Sequence, residues 1–296
     1  MSFGLLSYAT VNLGDEIQSI AAQRFLPRVD VLLQRDSLDS EPAVPGPVHA
    51  ILNGWFLASP GNWPPHPRIV PALLSMHFDQ KRPRTRFWRS TAAQQILSPQ
   101  GREWLVANGP VGTRDKATLE LLERHHVPCW YSGCLTLTLP RSSVEREDFI
   151  VACDVPERQL TALRRRTRLN VIAVTHHDAT TRGHVSRTAK ARSLLNLYGR
   201  AHAVVTSRLH CALPCLALGT PVLFAPAERD PGRLQPASEF AHVTTLPALA
   251  AGRYDFDLDH PPSNPDSWRS VARTLSDRCE AFAGAANATA FTGTQR

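Results

Sequence analysis

The chain has 296 residues, 43% of them hydrophobic and 20% charged, a globular composition whose length suits two domains of about 150 residues each. Its apolar runs break well before the ~20 residues of a membrane span, and the opening MSFGLLSYATVNLGDE lacks the basic region of a secretory signal, so a cytoplasmic protein is expected. The formal net charge of +7 rests on arginine, with Lys81, Lys116 and Lys190 the three lysines. That balance suits phosphate or carboxylate ligands, which the planar guanidinium fork fits, and equally fits the codon bias of a GC-rich genome.

In chain order, SFGLLSY reads as a strand, ATVNLG as a turn and DEIQSIAAQRFL as an amphipathic helix, followed by strand-like RVDVLLQ and VHAILNGW. This β-turn-α-β opening is the signature of a parallel sheet. SPGNWPPHPRIVP, rich in Pro and aromatics, reads as an irregular loop. GREWLVAN and RDKATLELLERHH have helical character, VPCWYSG and CLTLTLP strand character. A second alternation starts near residue 148 with strand DFIVACD, helix PERQLTALRRRT, strand NVIAVTHHD and helix SRTAKARSLLNLYGR. It continues with the βαβ unit AHAVVTS, RLHCALPCLALG, TPVLFAP and ends in the long helix DSWRSVARTLSDRCEAFAG. Fraying is expected after about residue 287. The expected organisation is an α/β chain of two Rossmann-like domains, 1–143 and 144–296. Two such sheets facing each other would leave a cleft where the βα turns gather at the strands' carboxyl ends.

None of the six cysteines forms a CxxC pair, and buried thiols in a reducing compartment fit better than zinc or a disulfide. In THHDATTRGH, residues 175–184, His176 has a position that favours lining the site, against solvated loop histidines as the alternative. KRPRTRFWR at 81–89 reads as a solvated loop, so no nucleic-acid partner is expected.

Three βα turns carry the chemistry. In VVTSRLHCALPCLALGTPVLF, residues 204–224, Ser207 is placed to cap a helix whose free N–H groups attract an anion. Arg208 adds a fixed positive charge and His210 lies two residues on, near enough to serve the same ligand. The alternative is an Arg salt bridge beside a structural histidine. In NGPVGTRDKATLELLE, residues 108–123, Asp115 caps a helix, and Arg114 is either a second anion-binding group or a paired surface arginine. In the first turn, ATVNLGDEIQS, the acids Asp15 and Glu16 disfavour a phosphate. Asp15 either caps the helix or, with Asn12, bonds substrate hydroxyls.

Taken together, NLGD at 12–15, RD at 114–115 and SRLHCALPCLALGTPV at 207–222 resemble the polysaccharide pyruvyl transferase family over about residues 5–225. The run GTRDKATLELLERHHVPCWYSGCLTLTLP is similar to a bacterial branch of that family. The resemblance implies a GT-B-like pair of domains, the N-terminal one on the acceptor side and the C-terminal one on the donor side. The donor it implies is phosphoenolpyruvate, whose pyruvate becomes a ketal on two hydroxyls of a cell-surface polysaccharide such as an exopolysaccharide. By residue it implies Arg114 and Arg208 as donor-binding groups and His210 as the acid–base group, with no metal or redox cofactor. Arg229, or Arg233 in another register, is the basic residue expected after the G-x-P-V strand. A sugar or lipid-linked glycan acceptor, with peripheral contact to a membrane-bound acceptor, completes the expectation. Where many relatives carry D-P, this chain has Gly133-Cys134. The rival expectations are a GT-B glycosyltransferase that uses a nucleotide sugar, with Glu228 on the ribose, and a non-catalytic glycan-binding relative.

Overall fold

The computed structural model describes residues 1–56, 62–80, 91–226 and 231–292. It is an α/β protein with two parallel sheets and interleaved helices. The chain opens with β1 (Ser2–Ser7), α1 (Leu13–Gln23), β2 (Val31–Gln34), β3 (Val48–Phe56) and β4 (Ile69–Phe78). It continues through α2 (Ala92–Ile96), α3 (Pro99–Asn108), β5 (Val111–Thr113), α4 (Lys116–Arg124) and β6 (Cys129–Tyr131). β7 (Glu147–Cys153), α5 (Glu157–Arg164), β8 (Asn170–Val174), α6 (His184–Arg200), β9 (Ala201–Thr206), α7 (Leu209–Leu218) and β10 (Val222–Phe224) follow. α8 (Pro231–Phe240), β11 (His242–Val243), α9 (Leu246–Ala251) and α10 (Trp268–Thr292) end the described chain.

The first sheet has the order β2-β1-β3-β4-β5-β6 and the second β8-β7-β9-β10-β11. Counted by appearance within each sheet, the first reads 2-1-3-4-5-6 and the second 2-1-3-4-5, so each reverses direction between its first and third strands. In doubly wound sheets, ligands bind outside the carboxyl ends of the strands at that reversal. In the second sheet the reversal lies between β7 and β9, whose register pairs Cys153 with Thr206. Asp154 and Ser207, next in each strand, therefore leave the sheet side by side.

Contacts divide the chain into two compact units. The first holds 1–9, 19–135 and 272–296, and the second 10–18 and 136–271, so the division departs from a single cut at 143/144 in three segments, 10–18, 136–143 and 272–296. Residues 10–18 group with the second unit because the first turn pairs with the loop after β8. Asn12 bridges His177 in antiparallel fashion, Leu13 N–H donates to His176 O at 2.8 Å, and Asp178 N–H to Val11 O at 2.7 Å. Glu16 then pairs with Arg187 on α6, with both side chains buried and Nε to Oε1 at 2.5 Å. The first unit's core gathers Leu52, Leu73, Met76, Ile96, Leu105 and Leu122, the second's Ile150, Leu163, Ala203, Val205, Leu223 and Leu249.

Two sequence expectations fail for physical reasons. CLTLTLP alternates like a strand, yet Leu135–Thr138 is a 3-10 turn. Gly133 takes a left-handed φ of +65°, which ends the extended run after β6, and Cys134 to Thr138 are buried on every side. The irregular loop expected through residue 71 instead enters the ten-residue strand β4. Pro71 masks that strand in the sequence, and it is tolerated because β5 meets β4 only further on, at Met76. The terminal helix α10 runs to Thr292.

Candidate anion-binding site

β9 is AHAVVT, apolar and β-branched, buried as an interior parallel strand should be. It delivers Ser207 and Arg208 to the carboxyl edge of the second sheet. Ser207 does not cap α7: its hydroxyl donates to the carbonyl of Asp154 at 2.8 Å, which the paired register of β7 and β9 sets beside it. Arg208 occupies the cap position without a side-chain cap, and its backbone N–H donates to Thr206 Oγ1 at 3.0 Å. Its Nε–H donates to Asp154 Oδ2 at 2.8 Å. The side chain is 42% exposed, and its two terminal nitrogens take no protein partner among the described residues. The salt bridge weighed in the sequence is thus present, but it occupies only one edge of the guanidinium.

His210 lies in the first turn of α7 with φ −81° and ψ 16°, off the helical values of its neighbours. Pro214, four residues on, explains this. A proline offers no N–H to the carbonyl four residues back, and its ring pushes that carbonyl aside. The imidazole is largely buried and packs against the first turn. A Cβ on Gly14 would stand 3.0 Å from its Nδ1 and 3.1 Å from its Cβ, so only glycine leaves the ring its place. Two of the three turns singled out in the sequence, NLGD and RLH, are therefore packed together within one unit.

Asn12, not Asp15, closes the first turn of α1, since its Oδ1 accepts the Gly14 N–H at 3.2 Å. Asp15 sits inside the helix and accepts from Thr10 Oγ1 at 2.6 Å. The negative charge of Glu16 is answered by Arg187, whose guanidinium is held above its ordinary pKa by the bond to Glu16 against the opposing effect of burial. The expected repulsion between an anion and the acids of this turn is thereby reduced.

His176 does not line an open surface. Its ring is 1% exposed and its Nε2 lies 2.9 Å from the Tyr198 hydroxyl, while its backbone N–H and C=O tie Asp154 and Leu13 in place. It supports the site from within. Cys153, Asp154 and His176 bring three ligand-type atoms within 4.8 Å of one another. As a metal site their chemistry is poor. Burial pushes the Cys153 thiol well up, and the Asp154 carboxylate already carries Arg208. Asp178, Lys190 and the threonines at 180 and 181 form a closed turn of their own.

In the first unit, Arg114 and Asp115 stand at the carboxyl end of β5. Asp115 caps α4 as expected and accepts the Thr118 N–H at 2.9 Å. Its Oδ2 also lies 2.6 Å from Nδ1 of buried His77, a pair the sequence reading missed. The signal for it, MHFD at 76–79, lies in the strand hidden behind Pro71. A one-residue bulge re-aims that strand just before His77, with Ser75 at φ 56°. Burial holds His77 below its ordinary pKa despite the carboxylate. Asp115, which burial alone would raise, is carried below its usual value by the bond to His77, with the charge of Arg114 adding to the effect. Arg114 is 1% exposed, so its guanidinium lies inside this polar cluster rather than facing solvent. Arg229 and the stretch 81–89 lie outside the described residues, as does Glu228; Arg233 stands in the first turn of α8.

Residues 101–225 match the family profile of polysaccharide pyruvyl transferases. The match contains the RD pair and the whole RLH block, and it marks the chain as a transferase that modifies polysaccharide. A search of curated proteins finds no match. Among solved structures, an uncharacterised protein from Klebsiella pneumoniae is similar at 12% identity and TM-score 0.47, over 80% of this chain and 87% of that one. A UDP-GlcNAc 2-epimerase from Methanocaldococcus jannaschii is similar at 9% identity and TM-score 0.40, over 93% and 99%. The wall teichoic acid polymerase TagF is similar at 10% identity and TM-score 0.41, over 95% and 82%. Among the described residues, no helix is long and apolar enough to cross a membrane.

Proposed function

We propose that this chain is a pyruvyl transferase that moves pyruvate from phosphoenolpyruvate to a sugar of a cell-surface glycan as a ketal. The observation that carries the reading is the half-held guanidinium of Arg208: anchored at Nε, open at its two terminal nitrogens among the described residues, and set at the strand reversal where doubly wound sheets bind ligands. A guanidinium fork of that kind suits a carboxylate or phosphate bidentately. In this scheme Arg208 holds the anionic donor and His210 donates a proton to the methylene carbon of the enol. The carbon that bears the phosphate becomes oxocarbenium-like. One acceptor hydroxyl adds there and loses its proton, the C–O bond to phosphate breaks, and the second hydroxyl closes the ketal and loses its proton. The products are the ketal and inorganic phosphate, so no electrons are exchanged with a redox partner. Asn12 and Asp15 are proposed to take part through sugar hydroxyls, and Arg114 to keep Asp115 ionised.

The test is a thermal melt of the protein with phosphoenolpyruvate and, separately, with nucleotide sugars. Stabilisation by phosphoenolpyruvate alone is expected. Stabilisation by a nucleotide sugar instead would point to a glycosyltransferase, and by neither to a binding protein without this chemistry. A gain of one pyruvyl ketal in the mass of a candidate acceptor identifies the sugar.

A further inference from the structure

We infer that Asp154 is the positioning residue of this donor site: its carboxylate grips one edge of Arg208 and so aims the opposite edge at the anion. The inference rests on the donor reading above and names a residue that has no step in it. Asp154 leaves β7 directly beside Ser207, at the strand reversal. Its φ of +51° is left-handed, a conformation that side chains other than glycine adopt at a cost and that clusters at functional sites. Four groups hold it there. Thr175 Oγ1 donates to Oδ1 at 2.6 Å, the His176 N–H and Arg208 Nε donate to Oδ2 at 3.0 and 2.8 Å, and the Ser207 hydroxyl donates to its carbonyl at 2.8 Å. Both carboxylate oxygens are engaged, so the group has no free rotation, and neither does the Arg208 edge bound to it. Burial raises the Asp154 carboxyl, but the bonds from Thr175 and His176 and the charge of Arg208 outweigh it, so the group stays ionised at neutral pH.

Two effects oppose each other at this pair. The carboxylate offsets part of the charge that attracts an anion, while its grip removes the rotamer freedom that a long side chain loses on binding. Fixing such a side chain in advance is worth roughly two- to tenfold in affinity. The charge effect is screened, because Arg208 is 42% exposed. Geometry therefore wins, and loss of the grip should weaken binding.

Asn tolerates a positive φ better than most side chains, so Asp154→Asn removes the charge and one of the two acceptor oxygens, and with them weakens the Arg208 anchor, without adding backbone strain. Phosphoenolpyruvate, and separately inorganic phosphate, would be titrated calorimetrically into wild type, Asp154→Asn, Arg208→Ala and the double variant. Asp154→Asn should bind phosphoenolpyruvate up to about tenfold more weakly, and Arg208→Ala more weakly still. The double variant should be no weaker than Arg208→Ala, because a residue that acts through another loses its effect when that partner is gone. Should Asp154→Asn fail to fold, Thr175→Ala, which frees one oxygen of Asp154, is read in its place. Equal or tighter binding by the variant, or full additivity in the double variant, overturns the inference and leaves the donor reading standing. Wild type that ignores phosphoenolpyruvate but binds phosphate with this pattern overturns the donor reading and keeps Asp154. Binding of neither removes both.

Discussion

At Arg208 and His210 the chemistry depends on what each side chain is denied. Asp154 takes one edge of the guanidinium, and Gly14 with Pro214 keeps the imidazole in one place. His210→Ala should therefore abolish turnover while largely sparing donor binding. The expected loss in rate is about 10²–10⁴-fold, the worth of a general acid. Ketal formation followed by mass, with a phosphoenolpyruvate melt in parallel, separates the two quantities. An active His210→Ala variant would remove the acid–base assignment. His77 gives a pH prediction. Its folded pKa lies below the ordinary value of 6.5, so the unfolded chain binds the proton more tightly. Its contribution to stability is fully present above about pH 6.5 and lost as pH falls through the folded value. Asp115 shifts in the same direction and adds its loss at lower pH. Melting curves should fall more steeply from pH 7 to 5 for wild type than for His77→Gln, and equal slopes would contradict a neutral buried His77.

At the scale of elements, β9 and α7 could be read from the sequence because an apolar β-branched strand, a short turn and a glycine-ended apolar helix point the same way. What could not be read was the tilt of His210 and the packing of the first turn upon it. Each depends on a partner, one four residues away and one nearly two hundred. Gly14→Ala tests that packing. The added methyl meets His210 at about 3.0 Å and must displace it, so activity should drop while the melting temperature changes little. A variant with full activity would show that the imidazole can move without cost. The capping assignments divide the same way: Asp115 was legible because it directly precedes an amphipathic helix, whereas Asn12 was overlooked beside the more acidic Asp15. β4 was hidden because Pro71 and the aromatic-rich stretch before it mimic a loop, and the His77–Asp115 pair was hidden with it.

Over the whole molecule, the alternation of strands and helices foreshadowed two parallel sheets, whose first five strands follow one order. The allotment of residues 10–18 to the second unit was not foreshadowed, since it depends on the antiparallel pairing of Val11–Leu13 with His176–Asp178 and on the buried Glu16–Arg187 pair. Removing one partner of such a pair strands a buried charge. Glu16→Ala should cost on the order of 3 kcal/mol of stability by denaturant titration, whereas a loss within experimental error would mean that the first turn is held by its backbone bonds alone. Core truncation offers a reference: Ile150→Ala, fully buried in the second sheet, should cost about 2–5 kcal/mol. The most direct measurement of the central claim is the affinity of phosphoenolpyruvate for wild type and for Arg208→Ala at one fixed salt concentration. Saturable binding that weakens at least about thirtyfold in the variant is the predicted result, the cost of losing a charge-assisted contact; equal affinities, or no binding by wild type, would contradict it.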